Sequence, residues 1–368
     1  VDTLILEKNK RIGDNWRNRY HTLTLHNQVQ VNHLPYMPFP PTWPTYIPKD
    51  KLANWFEIYA EAMELNVWTA TELENGQYDL DNQCWSVEVR SSDDQVRTLC
   101  PKHIVMATGV SGMPSLPDDI QSLADFGGTV LHSEDYTNGS AWQGRNALVL
   151  GTGNSGHDIA QDLHANGAIV TMIQRSPTMV VNIEPSAQLP YALYDEGPSL
   201  EDCDLLAAAT PLKLLRKTHQ MVTEKAKKLD KPLLDSLTQA GFALDYGTNN
   251  TGWQFKYLER GGGYYFNVGC SDLIANGQIR IIQYSDMDHF IANGIKLNSG
   301  EILDADLLVT ATGYKGLDHL VDKLFGQDIA TRCGPIWGFD EATQELRNMW
   351  MRTRQPGLWF IAGSLAQC

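Results

Sequence analysis

The chain has 368 residues, which at about 150 residues per domain suggests two or three domains. An apolar share of 42%, 30 glycines and 20% charged residues describe an ordinary globular protein and exclude a disordered one. With 29 basic against 44 acidic residues the net charge is −15, a field that repels phosphate backbones and argues against general nucleic-acid binding. No stretch approaches the ~18 consecutive apolar residues of a membrane-spanning helix. The six cysteines never fall as C-x-x-C, which disfavours zinc ribbons and dithiol centres. They fit reduced thiols, hence a cytoplasmic location.

Val1–Glu7 opens the chain with an apolar run that reads as a buried parallel strand. Residues 34–48 carry six prolines among aromatics and predict an extended loop rather than a helix. Asp50 then reads as the cap of a helix whose apolar face is Leu52, Trp55, Phe56, Tyr59 and Met63. Strands are predicted at Trp85–Arg90 and Lys102–Thr108. A further strand, Asn146–Leu150, leads into a glycine turn and a helix with Ile159, Ala160 and Leu163 inward, and Ala168–Gln174 follows as the next strand. Residues 185–250 lose the α/β alternation and read as mainly helical. Within them Pro211–Lys231 holds seven Lys/Arg against two acids, and the reading here is a solvated surface helix rather than a membrane-lying one. Short strands resume at Ile279, Asp306–Thr312 is one of them, and Leu358–Cys368 is a strand running into a glycine turn. A strand opening the chain and another closing it, with no helix beyond either, predict an internal fragment whose targeting signals are not visible.

Gly151-x-Gly153-x-x-Gly156 follows a predicted strand and opens a predicted helix, the context that makes this spacing specific. The first glycine permits the tight turn, the second lets a pyrophosphate approach the backbone, and the third lets helix pack on strand. The helix N-terminus, at Asn154 and Ser155, offers N–H groups to phosphate. The next strand ends in Gln174-Arg175-Ser176, where an NAD site would carry an acid for the ribose 2′-hydroxyl. Arg175 and Ser176 suit a 2′-phosphate instead, which favours NADP. Glu7 ends the opening strand, where an acid in a dinucleotide fold takes ribose hydroxyls. Its glycine loop would then lie upstream of Val1.

Phe126-Gly127-Gly128-Thr129-Val130-Leu131-His132-Ser133-Glu134-Asp135-Tyr136 resembles the F-x-G-x-x-x-H-x-x-x-Y fingerprint of flavin-containing monooxygenases, with Phe126, Gly128, His132 and Tyr136 at its fixed places. A Baeyer–Villiger fingerprint would end in tryptophan. Ile12–Arg17 resembles the family segment after the FAD ribose acid, with Asp14 where many members have a second glycine. Leu25-His26 and Leu34–Pro48 are similar to the YUCCA-type branch, and Arg260–Asn267 is similar to fungal members, although its plainer reading is a turn packed on aromatics. The two Ala-Thr-Gly elements ending in Gly109 and Gly313 resemble the places where the chain leaves and re-enters the flavin domain.

The resemblance implies an α/β fold of two nested Rossmann-like domains. Residues 1–140 and 306–368 would form an FAD-binding domain, incomplete at its glycine loop. Residues 141–305 would form an inserted NADP-binding domain with a helical insertion at about 185–250. It implies that NADPH reduces FAD, that reduced flavin and molecular oxygen form a C4a-hydroperoxide, and that one oxygen passes to nitrogen, sulfur or a carbonyl carbon of a small organic substrate. The cofactor carries the difficult chemistry, so no catalytic side chain is assigned and no metal is expected. Glu7, Trp16, Gly109 and Gly313 would serve FAD, with Trp16, Trp43 and Tyr46 near the flavin. Three other readings stand beside this one: a YUCCA-like oxidative decarboxylase of a 2-oxo acid, an inactive NADP-binding fragment unable to retain FAD, and a disulfide reductase, which the lack of C-x-x-C disfavours. Oligomerisation is left open.

Overall fold

The computed structural model describes residues 2–110, 112–117, 120 and 122–363. Val1 of the opening strand and Ser364–Cys368 of the closing turn lie outside the described residues. The chain forms two compact units, each assembled from separated segments: residues 1–18, 28–113 and 314–368 make the first, and residues 19–27 and 114–313 the second. The divisions fall after 113 and 313 rather than after 140 and 305. Residues 114–140 and 306–313 lie in the second unit because their strands belong to its sheet.

In the first unit β1 (Ile5–Leu6) pairs in parallel with β2 (Val67–Trp68). The opening strand was expected to be buried, yet Ile5 is exposed and Leu6 half-buried, because among the described residues β1 pairs with β2 alone. After β1 comes the short α1 (Asp14–Arg17), then α2 (Lys49–Ala62). Leu52 and Ala53 of α2 are fully buried, and Trp55, Phe56 and Tyr59 are half-buried on the predicted face. Asp50 is not its cap. Pro48 holds that place, and Asp50 sits in the first turn, accepting a 2.7 Å bond from the buried Lys49 ammonium. Proline has no side-chain acceptor, so the first N–H groups of α2 receive no side-chain cap.

An antiparallel meander follows: β3 (Thr71–Asp79), β4 (Cys84–Ser91) and β5 (Val96–Leu99). Trp85, Val87 and Val89 alternate inward on β4, the two-residue period of a half-buried strand. β6 (Ile104–Met106) is shorter than the 102–108 run and pairs in parallel with the chain's last described strand, Leu358–Phe360.

The second unit is built on a five-stranded, all-parallel sheet. Its members are β7 (Thr129–His132), β8 (Asn146–Leu150), β9 (Ile169–Gln174), β12 (Arg280–Gln283) and β16 (Leu307–Thr310), in spatial order β12-β9-β8-β16-β7. Central strands of such sheets are covered on both faces and must be apolar throughout. β8 shows this directly. Ala147 and Val149 join a core with Ile159, Ala160 and Leu163 of α3 (Asn154–Ala165), while Leu148 and Leu150 join another with Phe290 and Ile295. The latter two come from the antiparallel β13 (Met287–Ile291), β14 (Gly294–Leu297) and β15 (Ile302–Asp304). Each Leu or Val buried this way contributes about 1.5–3 kcal/mol.

The 185–250 block is helical: α4 (Ala192–Glu196), α5 (Leu200–Ala209), α6 (Leu212–Leu229) and α7 (Lys231–Gln239). It is tied into the same unit, since Leu234, Leu237 and Phe242 are part of the α3-side core. After α8 (Gly252–Arg260), β11 (Tyr264–Asn267) lies in parallel register with β10 (Met179–Asn182), and α9 (Cys270–Ala275) leads on to β12. The Arg260–Asn267 run is thus a glycine turn plus a strand, and Tyr264, Tyr265 and Phe266 are all buried.

Candidate dinucleotide sites

The turn from β8 into α3 is as tight as its glycine spacing demands. Gly151 has φ +119°, and a Cβ there would meet the Ala311 carbonyl oxygen at 2.3 Å. A Cβ on Gly156 would stand 2.2 Å from the Gly151 carbonyl oxygen, so the first turn of α3 rests directly on the loop. Gly153 differs. The nearest atom to a Cβ there is the Tyr264 carbonyl oxygen at 3.9 Å, which leaves the space beside the helix N-terminus open. No side chain caps α3. Open backbone, a helix N-terminus and no competing cap are the donor set that suits a pyrophosphate. The residues fit NADP.

Two of the predicted loop side chains serve the protein itself. Asn154 Oδ1 accepts from the Phe266 N–H at 3.0 Å, fastening β11 to the start of α3. Ser155 exchanges a hydrogen bond with the Tyr20 hydroxyl, which donates to Asp158 Oδ2 at 2.7 Å. Burial pushes the Asp158 carboxyl up to about 6, with the Tyr20 bond opposing. His157, stacked on Tyr265 at 3.8 Å between centroids, is pushed down to about 4 by burial. None of Tyr20, His157 or Asp158 carries a sequence signal, because their partners lie far along the chain.

At the end of β9 three neighbours take different parts. Gln174 is buried: its amide donates to the Ala243 carbonyl at 2.9 Å, and its oxygen accepts from Ala243 N at 2.7 Å and Gln283 Nε2 at 2.9 Å. Arg175 and Ser176 are exposed, and among the described residues no ion pair holds the Arg175 guanidinium. An uncommitted cation at the strand end is what a 2′-phosphate requires.

The fingerprint residues are scaffold. Phe126 is buried, and a Cβ on Gly128 would meet the Phe126 ring at 2.4 Å and the Asp306 carbonyl oxygen at 2.7 Å. His132, at the end of β7, has Nε2 3.3 Å from the Gly313 carbonyl oxygen and accepts the Glu134 N–H at Nδ1. Tyr136 is buried and donates to Asp162 Oδ2 at 2.6 Å, an oxygen that also accepts from Gly139 N at 2.7 Å. Burial, reinforced by that carboxylate, pushes the Tyr136 phenol well above its usual range. The motif therefore fastens the edge strand β7 to β16 and α3. Gly313 has φ +83° with open space around it.

In the first unit Glu7 ends β1. Its Oε1 accepts from the backbone N–H and the side-chain amide of Asn9, both at 2.7 Å, and its Oε2 takes no hydrogen bond from the described residues. A half-committed carboxylate at a parallel strand end fits the ribose of FAD. Gly13 has φ +88°, and a Cβ there would lie 2.4 Å from the Ala53 carbonyl oxygen. Asp14 folds back onto its own turn, accepting from Arg17 Nη1 at 2.9 Å and Arg11 N at 3.1 Å. Trp16 is half-buried in α1, and Gly109 has φ +68° beside open space. Trp43 stacks on Phe39 and meets Trp55 edge-on, so its role here is packing, while Tyr46 is half-buried. Among the described residues no His/Cys/Asp/Glu group could hold a metal, and no helix is long and apolar enough to cross a membrane.

A model of the flavin-binding monooxygenase-like family matches residues 10–195, and the chain belongs to this family. It is a flavin- and NADPH-dependent monooxygenase. The probable indole-3-pyruvate monooxygenase YUCCA3 of Arabidopsis thaliana is 29% identical over 322 residues, covering 86% of this chain and 68% of the relative. The indole-3-pyruvate monooxygenase YUCCA1 of Oryza sativa subsp. japonica is 28% identical over 322 residues, covering 86% and 71%. Among solved structures, an OTEMO complex with FAD and NADP superposes with a TM-score of 0.64 at 13% identity, over 87% of this chain and 68% of that one. Cyclohexanone monooxygenase from Rhodococcus sp. Phi1 bound to NADP⁺ gives 0.61 at 16% identity, over 87% and 67%. These likenesses define the fold.

Proposed function

We propose that the second unit holds NADPH, with the pyrophosphate over Gly153 at the α3 N-terminus and the 2′-phosphate on Arg175 and Ser176. Glu7 would hold the FAD ribose, with Trp16, Gly109 and Gly313 also serving that cofactor. The flavin, once reduced, supplies oxygen activation. The chain's own residues bind, orient and keep water away from it. The observation that carries the reading is the end of β9, where a buried glutamine stands in place of the acid of an NAD site and the exposed Arg175 has no ion pair among the described residues. On this reading the substrate is a small organic molecule oxygenated at nitrogen, sulfur or a carbonyl carbon.

The YUCCA relatives favour a second reading, oxidative decarboxylation of a 2-oxo acid. There one O₂ and one NADPH with a proton convert the 2-oxo acid to the shortened acid, CO₂ and water. NADPH and oxygen uptake are common to both readings, and release of labelled CO₂ from a carboxyl-labelled 2-oxo acid separates them. The five cysteines within the described residues are free thiols, in keeping with a reducing, cytoplasmic setting. The nucleotide assignment is tested by Arg175→Ala. NADPH binding should weaken about 10- to 150-fold, the ~1.5–3 kcal/mol of a charge-assisted bond, with NADH binding unchanged. Equal losses for both nucleotides would refute it.

A further inference from the structure

The outer face of α6 is a surface that the cofactor chemistry does not use. Its inner side is fixed: His219, Thr223 and Ala226 of α6 are buried, His219 meets Phe255 edge-on at 5.5 Å, and Gln220 Nε2 donates to the Asn249 carbonyl at 3.0 Å. The outer side carries Leu214, Lys217, Met221, Lys225 and Lys228, a spacing of 3, 4, 4 and 3 residues that keeps them on one helical stripe. Met221 is 73% and Leu214 55% exposed, and the three lysines are exposed with them, as is Lys213 beside the stripe. On α6 itself the acid beside the stripe, Glu224, is paired with Lys227 at 2.9 Å.

Single exposed apolar side chains are ordinary on helices, but Leu214 and Met221 share one stripe with the exposed lysines. A helix that lies on a bilayer needs that composition, with apolar side chains entering the headgroup layer and lysines reaching lipid phosphates from either side. The charge is also placed against the trend of the molecule, which is −15 as a whole while residues 211–231 hold seven Lys/Arg against two acids. We propose that α6 docks the protein onto an anionic lipid surface, with Leu214 and Met221 inserted and Lys213, Lys217, Lys225 and Lys228 on the lipid phosphates. This reverses the expectation of a merely solvated helix. An acidic protein partner would use the same lysines but would not make the chain float on lipid alone.

The test is flotation of the full chain with phosphatidylcholine vesicles, with and without phosphatidylserine. The wild type should float only with the anionic vesicles. The variant carrying Lys213→Glu, Lys217→Glu, Lys225→Glu and Lys228→Glu should lose about 100-fold or more in partitioning. Leu214→Ser with Met221→Ser should lose about tenfold while staying salt-sensitive. All six side chains point outward, so melting temperature and NADPH affinity should match the wild type in both variants. Absence of wild-type flotation on anionic vesicles, or equal flotation of the charge-reversed variant, would overturn the proposal. Undiminished flotation of the Leu214/Met221 variant would show that the lysines bind lipid without insertion of the apolar side chains and would overturn it equally.

Discussion

The fingerprint 126–136 and the glycine turn 151–156 lie in the same unit but treat their side chains in opposite ways. In the fingerprint every recognisable group is consumed by the protein: Phe126 and Gly128 against each other, His132 toward Gly313, and Tyr136 on Asp162. In the turn and the neighbouring strand end, Gly153 has open space where a side chain would stand, and the exposed Arg175 has no ion pair among the described residues. The motif that marks the family is scaffold, and the positions suited to ligand are those the scaffold leaves open. Gly151 and Gly156 belong with the scaffold in this division, although they sit in the nucleotide motif.

That division is sharpest where a methyl group has no room. Gly151→Ala and Gly156→Ala should each destabilise the fold by about 3 kcal/mol, since a Cβ in either place meets backbone oxygen within 2.3 Å. Urea denaturation would show it, and a loss below about 1 kcal/mol would move these glycines out of the scaffold. Next comes Tyr136→Phe, which leaves Asp162 Oδ2 with only the Gly139 N–H and should cost about 1–3 kcal/mol. NADPH affinity should stay at the wild-type value, and a selective loss of affinity would instead make the fingerprint part of the site.

Acid should probe the same scaffold more gently. His157 and His219 are buried and pushed down to about 4, so unfolding takes up a proton on each below the ordinary histidine value of 6.5. Their contribution is complete above pH 6.5 and is lost as pH falls toward 4, at up to about 1.4 kcal/mol per pH unit for each. Asp158, raised from 3.8 to about 6, acts in the opposite sense: its contribution is complete below 3.8 and is lost as pH rises through 6. These two histidines, with His26 likewise pushed down to about 4 by burial, outweigh the one carboxyl and leave a net loss on acidification. His157→Phe keeps a ring on Tyr265 and should remove one histidine's share of the slope in pH-dependent urea melts. An unchanged slope would show that His157 is not neutral in the folded state.

Where interactions are local in sequence, the fold was legible. β8, the glycine turn and α3 could be read because a doubly covered strand is apolar throughout and the turn needs glycine at fixed intervals. Both signals lie within twenty residues of each other. β3 carried no such signal, since its inward positions are filled by Thr71 and Gly76, the latter pressed against Val87 and Phe325. The parallel pairing of β10 with β11 joins Met179 to Tyr264 across the whole helical block, a distance at which periodicity says nothing. In the site, the missing acid at the end of β9 was legible, but the use of Gln174 to anchor Ala243 and Gln283 was not. Asp162 looked like one more polar residue on a helix until Tyr136, 26 residues away, was brought onto it.

Gly153→Ala tests the division between scaffold and site most directly, read once for stability and once for NADPH. Its backbone is extended, with φ −82° and ψ −172°, so alanine fits the chain and the melting free energy should change by no more than about 1 kcal/mol. The added methyl would stand where the pyrophosphate approaches, and NADPH affinity should fall about tenfold or more, 1.4 kcal/mol or above. A variant that binds NADPH as tightly as the wild type would contradict the account.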